Sequence, residues 1–212
     1  MYITPSQTNL LSEWKLDGNS TDVMNAHNGT DTNISYAAGK IGQCAVFNGT
    51  SSKIVTANTT GITGTSNATF LCLIKTTAVA GTIFGFGAYV PSVSQWRGLA
   101  IITGGYLRFD IVNTNVPDNT TPINDGKWHV VGFGNNGTTH YIFVDGKAVK
   151  SGVLAATNTG AGAAVFGATS IGDGFLAGSA DQGALWNRLL TDAEILAYSK
   201  DLLSNAEFFN LF

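Results

Sequence analysis

Two stretches of this chain carry the residue types best suited to ligand chemistry. Tyr89, Gln95, Trp96 and Arg97 fall in a loop-like run, Tyr89-Val-Pro-Ser-Val-Ser-Gln-Trp-Arg97. Sugar C–H faces stack on aromatic rings while amide and guanidinium groups take the hydroxyls, so this quartet is the candidate saccharide site. The second stretch is Asp17-Gly-Asn-Ser-Thr-Asp22-Val-Met-Asn25, dense in carboxylate and amide oxygens. Ca²⁺ takes about six to eight such oxygens. The same residues also build Asx turns by bonding their own backbone.

Other patterns point away from chemistry. Gly132-Phe-Gly134-Asn-Asn-Gly137 fits Gly-x-Gly-x-x-Gly literally. A phosphate cradle needs those glycines to lead into a helix N-terminus. Here they lead into Thr139-His-Tyr-Ile-Phe-Val, so Asn135-Asn136-Gly137 reads as a hairpin turn. His129 has no Gly-x-Ser-x-Gly elbow to activate and reads as a structural histidine. Cys44 and Cys72 sit inside apolar segments and read as reduced, buried thiols, with a disulfide left open. Neither they nor the three histidines show zinc-ligand spacing.

These residues must be positioned by β-structure. Apolar residues alternate or form short solid runs at 12–16, 44–47, 53–56, 69–75, 82–86, 98–103, 106–111, 128–134, 139–144, 165–171 and 178–187. Asp145-Gly146 and Gly104-Gly105 suit tight hairpins, whose central residues need positive φ. One helix follows Thr191, with Glu194 completing a capping box and Ile195, Leu196, Tyr198 and Leu202 as its apolar stripe. No repeat or composition break interrupts the chain, which predicts one all-β domain over residues 1–203: two packed antiparallel sheets and a short C-terminal helix. The remaining tail, 204–212, ends Phe208-Phe209-Asn-Leu211-Phe212. Such a tail either folds back on its own subunit or docks on a partner.

Composition restricts the partners. The 212 residues include 26 Gly but only 4 Pro, and 12% are charged, half the usual ~25%. With 11 Lys+Arg against 14 Asp+Glu the net charge is −3, which argues against nucleic acid as a partner. No apolar run approaches the ~18 residues of a membrane helix, and the N-terminus lacks a signal-peptide pattern. The expected location is therefore the cytoplasm, or a particle released by lysis. Eight Asn-x-Ser/Thr sequons occur, and without a signal peptide they read as turn and strand-edge chemistry.

Six blocks then resemble one family in order. Ser12-Glu-Trp-Lys-Leu-Asp17 with Asn25-Ala-His-Asn-Gly-Thr30, Gly42-Gln-Cys-Ala-Val-Phe-Asn-Gly49, Thr69-Phe-Leu-Cys-Leu-Ile-Lys75, Asp125-Gly-Lys-Trp-His-Val-Val131, Tyr141-Ile-Phe-Val-Asp-Gly146 and Asp181-Gln-Gly-Ala-Leu-Trp-Asn-Arg-Leu-Leu-Thr-Asp-Ala-Glu-Ile195 are similar to laminin-G-like domains. These belong to the concanavalin A-like lectin/glucanase superfamily. The resemblance implies a jelly-roll β-sandwich with Trp14, Trp128 and Trp186 in its core. It also implies Ca²⁺ at Asp22, Asn25 and Asp181, with Gln182 where the family usually has Glu. The glucanase branch carries Glu-x-Asp-x-x-Glu on one strand; here only Glu13, Glu194 and Glu207 occur, unclustered. Glycoside hydrolysis needs two convergent carboxyls, so catalysis is not expected.

The tail, Asn205-Ala-Glu-Phe-Phe-Asn-Leu-Phe212, resembles the ending of laminin-G-like proteins of phages and prophages, without their Pro and Trp. Together these readings predict a non-catalytic surface module on a phage particle (capsid decoration, fibre or tail protein). Its expected partners are other virion proteins, a second copy or a glycan, with Ca²⁺ as the one candidate cofactor. The alternatives are a polysaccharide-active glycosidase or lyase of the same superfamily, and a purely architectural subunit.

Overall fold

The computed structural model describes residues 7–88, 95–111, 114–118, 120–154 and 158–204. Fifteen strands and one helix follow in chain order: β1 (Leu10–Trp14), β2 (Gly29–Thr32), β3 (Ser35–Ala38), β4 (Gln43–Asn48), β5 (Lys53–Thr59), β6 (Ala68–Lys75), β7 (Gly81–Gly87), β8 (Trp96–Ile102), β9 (Tyr106–Ile111), β10 (Thr114–Pro117), β11 (Trp128–Asn136), β12 (Thr139–Val144), β13 (Lys147–Val153), β14 (Ala163–Phe166), β15 (Ala177–Trp186) and α1 (Asp192–Ser204). They form two antiparallel sheets. One runs β13-β12-β11-β6-β15-β4-β3 with β1 also on β15, and the other runs β10-β9-β8-β7-β14-β5-β2. This is the sandwich the sequence predicts.

The core between the sheets is aromatic. Phe70 of β6 and Phe84 of β7 stack across it at 3.7 Å, with Phe133, Phe166 and Trp14 tilted or edge-on around them. Period two supplies these side chains: on β6, Ala68, Phe70, Cys72 and Ile74 face the core, while Leu71 and Leu73 face outward under α1. The helix starts as its capping box requires. Glu194 N–H donates to the Thr191 hydroxyl and the Glu194 carboxylate accepts from Thr191 N–H. Arg188 adds a bidentate pair to Glu194, at 2.7 and 2.9 Å, which with the cap holds that carboxyl near a pKa of about 2.

The hairpins follow the turn residues. Asp145 and Gly146 both have positive φ, 49° and 85°. The β11–β12 turn sits one step later than expected, because Asn135 and Asn136 pair as strand residues and Gly137-Thr138 makes the turn. On β15, a bulge at Gln182 (φ 51°) lets the strand exchange partners, from β4 before it to β1 after it.

Candidate functional site

The outer face of the seven-stranded sheet carries a groove. Register places Gly98 opposite Asp110 and Ala100 opposite Arg108, while Thr82 of β7 lies opposite Ala100. Alternation along β9 sends Leu107, Phe109 and Ile111 into the core and Arg108 and Asp110 outward. Trp96 covers Gly98, while the small side chain of Ala100 leaves open space beside it. The result is a groove of about 450 Å³, walled by Arg108 and Asp110 on one side and by Thr169, Asp173 and Gly174 on the other.

Its polar groups are preorganised. Arg108 Nε and Nη2 donate to the two oxygens of Asp110, at 2.5 and 2.9 Å. Burial raises the pKa of Asp110, against the opposing pull of Arg108. Across the groove the Thr169 hydroxyl donates to Asp173, and Gly174 accepts from Thr82 N–H at 2.7 Å. Val79, next to the lining residue Ala80, and Ile171, in the loop between Thr169 and Asp173, leave more than half their surface in solvent. The groove thus offers unused guanidinium donors, carboxylate lone pairs and hydroxyls, a set that suits saccharide hydroxyls.

Of the expected quartet, Trp96 and Arg97 are buried and Gln95 is half-buried. Tyr89 lies outside the described residues. Trp96 opens β8 and is only 2% exposed. Its indole lies on the backbone of Gly85 and Gly98, where an added Cβ would come within 2.1 Å of Cζ2 and 2.5 Å of Nε1. It packs with Val165 and Ala168, and although it lines the groove it exposes too little surface to serve as a stacking platform. Arg97 points inward, fully buried. It donates from Nη1 to Ser66 O and Asn135 Oδ1 and from Nη2 to Gly64 O, at 2.7 to 2.8 Å, and burial lowers its pKa to about 10. Gln95 is half-buried, its carbonyl accepting from Ala88 and Gly160.

The side-chain oxygens of the expected Ca²⁺ trio accept from the protein's own backbone and side-chain amides. Asp22 Oδ1 accepts from the amides of Glu13 and Met24, and Oδ2 from those of Ala26 and His27, at 2.8 to 3.1 Å. Four amide donors saturate one carboxylate. Asn25 sits at φ 55° with its side-chain oxygen on Asn28 Nδ2. Asp181 lies on β15 under the β3–β4 turn: Oδ2 accepts from Lys40 and Ile41 amides at 3.0 Å, and Oδ1 from Gln182 Nε2. Burial raises its pKa to about 6. Among the described residues, no three His, Cys, Asp or Glu side chains converge as metal ligands. The geometry is that of an Asx-rich turn and of a pin behind the Gln182 bulge.

His129 is half-buried between two carboxylates, Nδ1 at 2.8 Å from Asp145 Oδ2 and Nε2 at 3.1 Å from Asp125 Oδ1, and both raise its pKa. The Asp145 hydrogen bond is the leading cause. Trp14 and Trp186 are buried as expected, whereas Trp128 is only half-buried and lines a groove on the other sheet. Cys44 and Cys72 are buried free thiols. Asn48 shows the expected turn chemistry, its Oδ1 accepting from the amides of Thr50, Ser51 and Ser52. The tail residues Phe208, Phe209, Leu211 and Phe212, and Glu207, lie outside the described residues.

A family profile described as the concanavalin A-like lectin/glucanases superfamily (Laminin_G_3) matches residues 48–196. The chain belongs to that family. Among solved structures this laminin-G-like domain is similar to domain 4 of AbnA, a GH43 extracellular arabinanase of Geobacillus stearothermophilus in complex with arabinotriose. The match has 22% identity, covers 90% of this chain and 98% of that one, and gives a TM-score of 0.73. It is also similar to the binding domain of Paraclostridial Mosquitocidal Protein 1, at 13% identity and TM-score 0.72, over 92% of this chain and 52% of that one. A Trypanosoma rangeli sialidase mutant displaying trans-sialidase activity matches at 15% identity and TM-score 0.69, over 94% and 34%. The chain spans about half and a third of those last two. These likenesses show the fold. A search of curated proteins found no match.

Proposed function

We propose that this domain is a non-catalytic glycan-binding module displayed on a phage particle, and that an oligosaccharide lies along the groove between Arg108–Asp110 and the 169–174 loop. The observation that carries this reading is the bidentate Arg108–Asp110 pair beside a floor left open at Ala100. A paired guanidinium and carboxylate keep their remaining donors and lone pairs in fixed directions, which suits adjacent sugar hydroxyls. The arabinotriose bound to the similar AbnA domain makes a neutral oligosaccharide a reasonable first probe. A glycan array identifies the ligand, and titration of Asp110→Asn against it is expected to weaken binding roughly tenfold, the usual worth of one charge-assisted hydrogen bond.

A hydrolase or lyase is the second reading, and one observation favours it: Asp110, whose pKa is raised, and Asp173 line the same groove. Release of reducing ends from the array-positive glycan, abolished in Asp110→Asn, would establish it and overturn the first. The particle setting and the docking role of Phe208, Phe209, Leu211 and Phe212 rest on the resemblance of the tail. Deleting residues 205–212 and measuring sedimentation reads that role; unchanged association would remove it and, with an empty array, would leave an architectural subunit without a ligand.

A further inference from the structure

The opposite face of the sandwich carries a second groove of different chemistry. Trp128 of β11, Lys75 of β6 and Ser179 of β15 are directly paired across three adjacent strands, so their side chains share the outer face of the eight-stranded sheet. Helix α1 covers the other end of that face, over Leu71, Leu73 and Val130. At this end the face is open, as a groove of about 400 Å³ that also touches Thr77 and Gly126. Trp128 was expected in the core. It is half-buried instead and lines this groove.

The charge in the groove is distinctive. Lys75 is exposed and forms no ion pair among the described residues. The nearest carboxylate on the same face of β15, Asp181, is buried under the β3–β4 turn with its oxygens on Lys40, Ile41 and Gln182. At the rim, Asp125 is committed to Lys127 and His129. A free ammonium therefore stands beside an aromatic ring and a hydroxyl, over two strand spacings of about 5 Å each. That width accommodates one pyranose ring with its substituents.

We infer that this groove binds a carboxylate-bearing pyranose, such as a hexuronate residue of an acidic polysaccharide. Its ring packs on Trp128, its carboxylate meets Lys75 Nζ, and its hydroxyls meet Ser179 and Thr77. The site is separate from the Arg108–Asp110 groove, so the domain contacts acidic glycans on one face whatever the other face binds.

The test is a ¹⁵N–¹H spectrum of the whole chain, in which four tryptophans give four indole resonances and Trp128→Phe assigns one of them. Glucuronate is expected to shift the Trp128 indole with at least roughly tenfold higher affinity than glucose, and acetate to leave it in place. Lys75→Gln, an exposed change that spares the core, is expected to abolish the preference for glucuronate over glucose. A Trp128 resonance unmoved by glucuronate would overturn the inference. So would equal shifts from glucose or acetate, or a preference that survives Lys75→Gln. If Trp128→Phe fails to fold, the Lys75→Gln comparison alone still decides, because any indole resonance that responds must lose its selectivity. None of these outcomes depends on Asp110, so failure here is separable from failure of the first groove.

Discussion

Replacing Asp22 by alanine removes four hydrogen bonds from one buried carboxylate, those to the amides of Glu13, Met24, Ala26 and His27. Each amide-to-carboxylate bond contributes about 1.5–3 kcal/mol, so the gross loss is roughly 6–12 kcal/mol. Much of that is recovered. Met24 is exposed and Glu13 and Ala26 are half-buried, and water can reach their freed amides; His27 is buried, held by Ser12 and Trp14, and its amide remains short of a partner. The expected cost is about 3–5 kcal/mol, a fall in Tm of about 10 °C for a chain of this size. Urea unfolding followed by tryptophan fluorescence, in EDTA and again in millimolar Ca²⁺, should show the same loss in both. A loss below about 1 kcal/mol would refute the assignment of this carboxylate to the backbone. Ca²⁺ stabilisation of the native sequence that vanishes in Asp22→Ala would refute it as well, by placing a metal on those oxygens.

Three further outcomes follow from other residues. The pKa of Asp181 is raised to about 6 in the folded chain by burial, so the folded state holds its proton more tightly than the unfolded one. Its ionisation therefore opposes folding as pH rises from about 4 through 6, and the stability of the native sequence relative to Asp181→Asn should improve by about 2 kcal/mol between pH 7 and pH 4, measured by urea midpoints. Glu194 has the opposite sign: its pKa of about 2, depressed chiefly by Arg188, gives stability that is present above about pH 4.5 and lost as pH falls toward 2. Glu194→Gln should therefore cost about 1–2 kcal/mol at pH 7 and almost nothing at pH 2 in a thermal melt. Gly85→Ala would put a Cβ 2.1 Å from the Trp96 ring and 2.6 Å from the Arg97 carbonyl, and should lower stability by about 2 kcal/mol or more; a neutral result would mean that the indole does not lie on Gly85.

How much could be read in advance differs between the scaffold and the site. Strands such as β6, β11 and β15 announce themselves because their side chains are buried on one or both faces, and the chain shows alternating or solid apolar runs there. β2, β3 and β10 do not. Gly29-Thr-Asp-Thr, Ser35-Tyr-Ala-Ala and Thr114-Asn-Val-Pro are short, mostly solvent-facing segments at sheet edges, defined by pairing with β5, β4 and β9. The capping box of α1 and the Asp145-Gly146 turn are local chemistry and were legible. Trp96 was misplaced because its burial depends on missing side chains at Gly85, a residue of another strand. Arg97 was misplaced because nothing local distinguishes an inward arginine from an outward one; its partners come from the 64–66 loop and Asn135. That Arg108 and Asp110 share a face was readable from period two alone. The groove beside them was not, because its floor and far wall come from β7, β8 and the 169–174 loop.

The account stands most directly on one titration: the glycan identified by array, measured by calorimetry against the native chain and against Asp110→Asn. Binding that weakens roughly tenfold in the variant, with the oligosaccharide recovered intact, is the expected result. Equal affinity for both proteins, or recovery of the oligosaccharide in fragments, would contradict it.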